Sequence, residues 1–398
     1  MEDVSGAITY PKGFKSSGIR AGIKEKGEDI ALIVSEQPAA SAGVFTTNVA
    51  KAAPVIISSE RVPGNEVRAV IVNSGNANAC TGEQGIADAR KMAAEIARLL
   101  GVAENDVLVA STGIIGRAMP MDKVIAGIGM AVDALGNDGT CAARAIMTTD
   151  TRPKEASVEV EIGGVKVRIG GIAKGAGMIC PNVATMLSFI TTDAAIKPEM
   201  LQRCLSKSAD VSYNCLTVDG DSSTNDTVII MANGMAGNPV ISSPGADLDG
   251  FQRALDSVTI SLAKQIARDG EGATKIIEIT VKGTDSFEYA RQIAKTIANS
   301  PLVKTAMFGC DPNWGRVLAA AGRAGIVFNP KVVNLYFGET ALLLKGEPVK
   351  YDEKREHDNL TGDEVRVLLE VGKGSGVATV WTCDFSYDYI RINAEYHT

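Results

Sequence analysis

Apolar positions along the chain recur in short runs more often than in long ones. Residues 30–34, 55–57, 67–73 and 107–110 are apolar stretches closed by Gly, Ser or Asn, the pattern of buried strands. Two helical patterns lie between them. Residues 82–100 place Met92, Ile96 and Leu99 on one face and stop at Gly101, and residues 121–135 place Val124, Ile128, Val132 and Leu135 on one face and stop at Gly136. Strict alternation over 157–169, broken by Gly163-Gly164, predicts a hairpin. Further on, helices are predicted from Pro198, over 247–267, and after the capping pattern Asp285-Ser286-Phe287-Glu288. Strands are predicted over 228–231, 276–281, 333–337, 365–371, 377–383 and 387–393. Frequent hairpins without regular βαβ alternation imply a mixed α/β fold with largely antiparallel sheets.

Composition narrows the chemistry. The 398 residues are 45% apolar and 22% charged, which suits a globular chain with a sizeable core. A net charge of −7 argues against nucleic acid or an anionic membrane as partner. No run of about eighteen apolar residues exists, and Met1-Glu2-Asp3-Val4-Ser5 has no basic or apolar leader character. The seven cysteines are scattered with no CxxC pair, which fits a reduced, cytoplasmic setting. Histidine occurs only at 357 and 397, and His357 sits in a charged run (351–356) that reads as a solvated loop. A histidine-rich metal site is therefore excluded, and an acyl-transfer site here needs another source of general base.

The segment 170–192 breaks every periodic pattern. It carries glycines at 170, 171, 175 and 177 and then Pro181-Asn182-Val183-Ala184-Thr185. A threonine hydroxyl is a weak nucleophile without a base. If the Ala184–Thr185 bond is cut, Thr185 gains an α-amine with a pKa of roughly 7.7–8.0, close to the optimum for a general base. The same hydroxyl can make the cut by attacking the Ala184 carbonyl, and small, glycine-rich neighbours permit the strained approach. On these local residues alone, an ordinary strand threonine remains the better reading.

The ordered motifs of the chain change that balance. Lys174-Gly175-Ala176-Gly177-Met178-Ile179 and Pro181 through Leu187 closely resemble the self-cleavage motif of the ornithine acetyltransferase family, the arginine-biosynthesis glutamate N-acetyltransferases. Further segments resemble the same family: Pro11–Phe14, Gly43–Asn48, Val72–Ala79, Ser111–Gly113, Met147–Thr151, Thr217–Asp221, Asp311–Arg316 and Arg391–Tyr396. Ala176, where the family often has serine, and Val183, where it often has methionine, are small departures. The resemblance implies a sandwich of the self-cleaving aminopeptidase and ornithine acetyltransferase type. It implies an α chain of residues 1–184 and a β chain of 185–398. A smaller C-terminal α/β subdomain would span about 284–390, and the last strand would return to the active site.

The resemblance also implies roles. Thr185 would carry acetyl from N-acetylornithine to glutamate in a ping-pong scheme, with Thr112 and Gly113 stabilising the oxyanion. Thr148, Lys174, Glu271, Asn393 and Thr398 would join Thr185 in contacting substrate, with Lys174 for an α-carboxylate and Glu271 for the ornithine amine. No cofactor or metal is implied. Some family members also use acetyl-CoA to make N-acetylglutamate (amino-acid N-acetyltransferase activity), and no phosphate-cradling motif here speaks to that. An α2β2 heterotetramer is implied by analogy. Asp219 and Asn225 lie in a polar run without an assigned role. The competing readings are an aminopeptidase or amidase of the same superfamily, whose members resemble this chain far less and generally use serine at the position of Thr185, and a binding protein that retains the fold.

Overall fold

The computed structural model describes residues 6–180 and 186–395, with the Arg355 side chain excepted. Among them the strands form two sheets. The first contains β1 (Phe14–Ile19), β2 (Ile30–Phe45), β3 (Gly64–Asn76), β4 (Val107–Ile114), β5 (Lys154–Ile162), β6 (Val165–Lys174), β7 (Leu187–Thr192) and β8 (Thr227–Ala232), in the order β4-β3-β2-β8-β7-β6-β5 with β1 beside β2. Only β3/β4 and β7/β8 pair in parallel in this sheet. The second sheet contains β9 (Ile276–Thr284), β10 (Asn334–Phe337), β11 (Thr340–Leu344), β12 (Glu347–Pro348), β13 (Glu364–Glu370) and β14 (Gly376–Cys383), in the order β12-β11-β10-β13-β9-β14.

Strand alternation explains the layers. Ile30, Leu32 and Val34 face one way and pack with α1 (Ala53–Ser59), α2 (Gly82–Leu100) and α3 (Met121–Asp133). Ala31 and Ile33 face the other way, into a core shared with Ile172, Phe189 and Ile229 of β6 to β8 and with α4 (Gly139–Ala145). β2 reaches both halves because it is long and bulged between Val34 and Ser41. On the outer side of β5 to β8 lie α5 (Pro198–Val211) and α6 (Ala246–Arg268). The stripe Phe251, Leu255, Val258, Leu262 and Ile266 of α6 is fully buried. The same core continues into the second sheet and α7 (Phe287–Ala298), α8 (Pro301–Phe308) and α9 (Trp314–Gly322). The mixed, mainly antiparallel architecture agrees with the hydrophobic pattern. No helix among the described residues is long and apolar enough to cross a membrane.

Three readings of the pattern are corrected. Residues 55–57 lie in α1, not in a strand, because Pro54 opens a helical turn and three apolar residues are too few to reveal a period. The charged run expected as a solvated loop enters α10 (Glu353–Asn359), and Glu356 is buried, accepting from Asn359 Nδ2 at 2.9 Å. The expected last strand over 387–393 is α11 (Tyr387–Glu395). Its apparent alternation conceals a helical pair, Arg391 with Asp388 three residues before it at 3.1 Å, and Phe385, just ahead of the helix, stacks on Tyr389 at 4.6 Å. The Ser386 hydroxyl accepts the Asp388 N–H at 3.1 Å and so starts the helix.

Candidate active site

The site gathers at the ends of β3, β4 and β6. In the parallel β3/β4 ladder Ser74 lies opposite Thr112 and Gly75 opposite Gly113. Gly113 has φ +133°, and a Cβ there would come within 2.4 Å of the Gly75 carbonyl carbon. Only glycine lets the two backbones approach so closely. An asparagine framework fixes this end of the sheet. Ser111 Oγ donates to Asn73 Oδ1 at 2.6 Å, and Asn225 Nδ2 donates to the carbonyls of Ala77 (2.6 Å) and Ser111 (2.8 Å). Asn225, without a role in the sequence, thus ties the β8 side of the sheet to the Thr112–Gly113 end of β4.

Lys174 closes β6 and is buried. Its ammonium donates to Thr148 Oγ1 at 2.8 Å and Thr112 Oγ1 at 3.3 Å and stands 4.0 Å from Asp150 Oδ2. Burial lowers its proton affinity, Asp150, Asp226 and Glu271 oppose that effect, and Lys154 adds to it. Burial alone would raise the Asp150 carboxyl, but the Lys154 and Lys174 charges with hydrogen bonds from Lys154 and Gly175 hold it well below the usual carboxylate range. Three residues expected at the substrate, Thr112, Thr148 and Lys174, therefore share one hydrogen-bond cluster.

The segment after Lys174 leads to a second cluster. Asp219 accepts the N–H groups of Met178 (2.6 Å) and Ile179 (2.9 Å), which supplies its role. The Glu271 N–H donates to the Ala176 carbonyl at 2.8 Å, so the loop after α6 docks on this segment. Asn393 on α11 donates from Nδ2 to Glu271 Oε2 at 2.9 Å. The C-terminal element thus meets Glu271 as a helix, not as the strand the alternation suggested.

Thr185, Ala184 and Thr398 lie outside the described residues, as does His397. Met186 is the first described residue after the expected cut, and its carbonyl accepts the Thr227 N–H at 3.0 Å. Directly before Thr227 stands Asp226, which the sequence reading missed. It is buried, its Oδ2 has no hydrogen-bond partner among the described residues, and burial pushes its carboxyl well above the ordinary range despite Ser223, Lys174 and Thr46. Asp150, Lys154 and Asp269 were also missed. Asp150 falls within a quoted motif, but nothing local reveals that Lys154 Nζ lies 2.6 Å from both Asp150 Oδ1 and Asp269 Oδ2. Among the described residues, no group of three or more His, Cys, Asp or Glu side chains is placed to hold a metal ion.

Comparison with known proteins identifies the family of the chain. The model of the ArgJ family matches residues 15–398. A relative named arginine biosynthesis bifunctional protein ArgJ from Symbiobacterium thermophilum is 50% identical over 402 residues, covering 100% of both chains. One of the same name from Dehalococcoides mccartyi is 51% identical, covering 99% of this chain and 98% of its own. A crystal structure of the arginine biosynthesis bifunctional protein ArgJ from Bacillus halodurans, 44% identical, superposes with a TM-score of 0.52 over 53% of this chain and 100% of that one. With the family model matched through the final residue and relatives half identical along their whole length, the chain belongs to the ArgJ family.

Proposed function

We propose that the chain cleaves itself between Ala184 and Thr185 and then transfers acetyl from N-acetylornithine to glutamate through an acetyl-Thr185 ester. In the cleavage, Thr185 Oγ attacks the Ala184 carbonyl carbon. The C–N bond breaks as its nitrogen takes a proton, and water hydrolyses the resulting ester. The freed amine serves as base for the same hydroxyl. Oγ then attacks the acetyl carbonyl, and the tetrahedral oxyanion is met by donors at Thr112 and Gly113. Ornithine leaves with a proton on its nitrogen. The glutamate amine attacks the ester, its proton returns through the base to Oγ, and N-acetylglutamate departs.

One observation carries this reading. The segment leading to Thr185 is flanked by a buried ammonium, Lys174, on Thr112 and Thr148, and by a buried carboxylate, Glu271, on Asn393. These are the two charges that ornithine, with a carboxylate and an amine, would need. Thr398 completes the substrate contacts in this proposal. The relatives are named bifunctional, and the second activity we propose is N-acetylglutamate synthesis from acetyl-CoA. An α2β2 assembly of the two fragments in the cytoplasm belongs to the same proposal.

Intact-mass spectrometry under denaturing conditions tests the core of it. Two fragments of residues 1–184 and 185–398 are expected, while Thr185→Ala should remain one uncut and inactive chain. A single persistent chain with Thr185 present would sink the mechanism. Assays with N-acetylornithine and acetyl-CoA side by side separate one donor from two, and hydrolysis of peptide amides without acetyl transfer would favour an amidase instead.

A further inference from the structure

The geometry points to Asp150 as a positioning residue that holds the Lys174 ammonium for the substrate carboxylate, as one member of a buried charge relay with Lys154 and Asp269. The inference rests on the function proposed above and adds to it a role for three residues.

Asp150 has no accessible side-chain surface. Its Oδ1 accepts from Lys154 Nζ at 2.6 Å and from the Gly175 N–H at 2.6 Å, and its Oδ2 accepts the Thr148 N–H at 3.0 Å. One carboxylate therefore touches the backbone of Thr148 and of the residue that follows Lys174. It faces the Lys174 ammonium itself at 4.0 Å, which is too long for a hydrogen bond. That distance matters. An ammonium has three N–H donors, and Lys174 gives one to Thr148 and one to Thr112. Among the described residues no acceptor takes the third. Asp150 thus supplies an attractive field without capping the donor that an incoming carboxylate would use.

Lys154 completes the device. Its ammonium is shared between Asp150 and Asp269 at 2.6 Å each, and Asp269 accepts from the Thr151 N–H and hydroxyl. Asp269 lies two residues before Glu271, so the relay joins the carboxylate-binding end of the site to its amine-binding end. The charged groups acting on Lys174 come from every neighbouring element. They are Asp150 after α4, Lys154 on β5, Asp226 before β8, Glu271 after α6, and Lys24 in the turn after β1. Asp150 is the largest of the contributions that keep Lys174 protonated, and Lys154 opposes it.

The test is a pair of substitutions with opposite expected signs. Glutamate and ornithine Kd by calorimetry, and KM for acetyl transfer, are measured between about pH 6 and 10. Asp150→Asn removes the charge and keeps one acceptor oxygen, which can still serve the Gly175 N–H and Lys154, while its amide nitrogen cannot accept the Thr148 N–H. Its Kd and KM should begin to rise at lower pH than in the wild type, about tenfold per pH unit beyond that point. Lys154→Met should move the same rise to higher pH. Profiles that coincide with the wild type, or two variants that both fail to fold, would reduce the relay to a structural brace and overturn the inference. Calorimetry separates the two proposals. A wild type that binds glutamate with this pH dependence but transfers no acetyl defeats the proposed reaction and leaves the relay standing.

Discussion

Gly177 and Glu271 pack so closely that no side chain fits between them: a Cβ on Gly177 would lie 2.4 Å from both the carboxyl carbon and Oε2 of Glu271. A methyl group at residue 177 would therefore need the space that the Glu271 carboxylate occupies. Because the clash is with the end of a flexible side chain, Gly177→Ala should displace the Glu271 carboxylate from Asn393 rather than disturb the fold. The measurable outcome is a KM for N-acetylornithine raised about tenfold or more, with the rest of the fold intact by circular dichroism.

Lys174→Met keeps most of the apolar stem of the side chain, one atom shorter, and removes its charge. The hydroxyls of Thr148 and Thr112 remain, but neither can neutralise a carboxylate. Loss of a charge-assisted hydrogen bond of about 1.5–3 kcal/mol predicts a KM for both amino-acid substrates raised about tenfold to a hundredfold. Steady-state kinetics at several glutamate concentrations checks it. An unchanged KM would remove Lys174 from the substrate site.

Thr112→Val removes a hydroxyl while preserving the shape of β4. If Thr112 serves the oxyanion, kcat should fall about a hundredfold or more with KM little changed. The Lys174 contact adds a second consequence, since at 3.3 Å the hydroxyl also accepts from that ammonium. Gly113→Ala is the harsher change. Its Cβ would strike the Gly75 backbone at a φ of +133°, so the β3/β4 ladder must open there. Thermal unfolding should show lower stability for Gly113→Ala and near-native stability for Thr112→Val.

Asp226 makes a prediction about pH. Its carboxyl is held well above the ordinary range, first by burial, so the folded chain binds a proton that the unfolded chain releases. Stability from this group is greatest below the unfolded value of about 4 and is lost as pH rises toward the raised folded value. Asp226→Asn is neutral at every pH and removes that slope. Unfolding free energies from urea titrations of the variant should match the wild type below about pH 4 and exceed it increasingly as pH rises toward neutral. A difference that does not change with pH would show that Asp226 is not protonated in the folded chain.

Much of this protein was legible in its residues. The boundaries of α2, the hairpin of β5 and β6, and the helix from Pro198 follow from periodicity and punctuation, because each element's pattern is carried by residues close in sequence. The glycine-rich segment before Thr185 stood out for the opposite reason, that it fits no period. Its chemistry became readable only through its resemblance to a family. Two short segments were misleading: Val55 to Ile57 became helix behind Pro54, and the alternating Tyr387 to Asn393 became a helix with no buried residue, started by the Ser386 hydroxyl. Tertiary structure alone brought Asp269 to 2.6 Å from the Lys154 ammonium across 115 residues of sequence, with Asp150 Oδ1 also at 2.6 Å from that ammonium, and left Asp226 buried beside the start of β7. Charge placement of that kind depends on desolvation and distance, which no linear pattern records. The residues, through that resemblance, proposed a nucleophile and its substrates' contacts, and the fold decided which buried charges stand around Lys174 and Glu271.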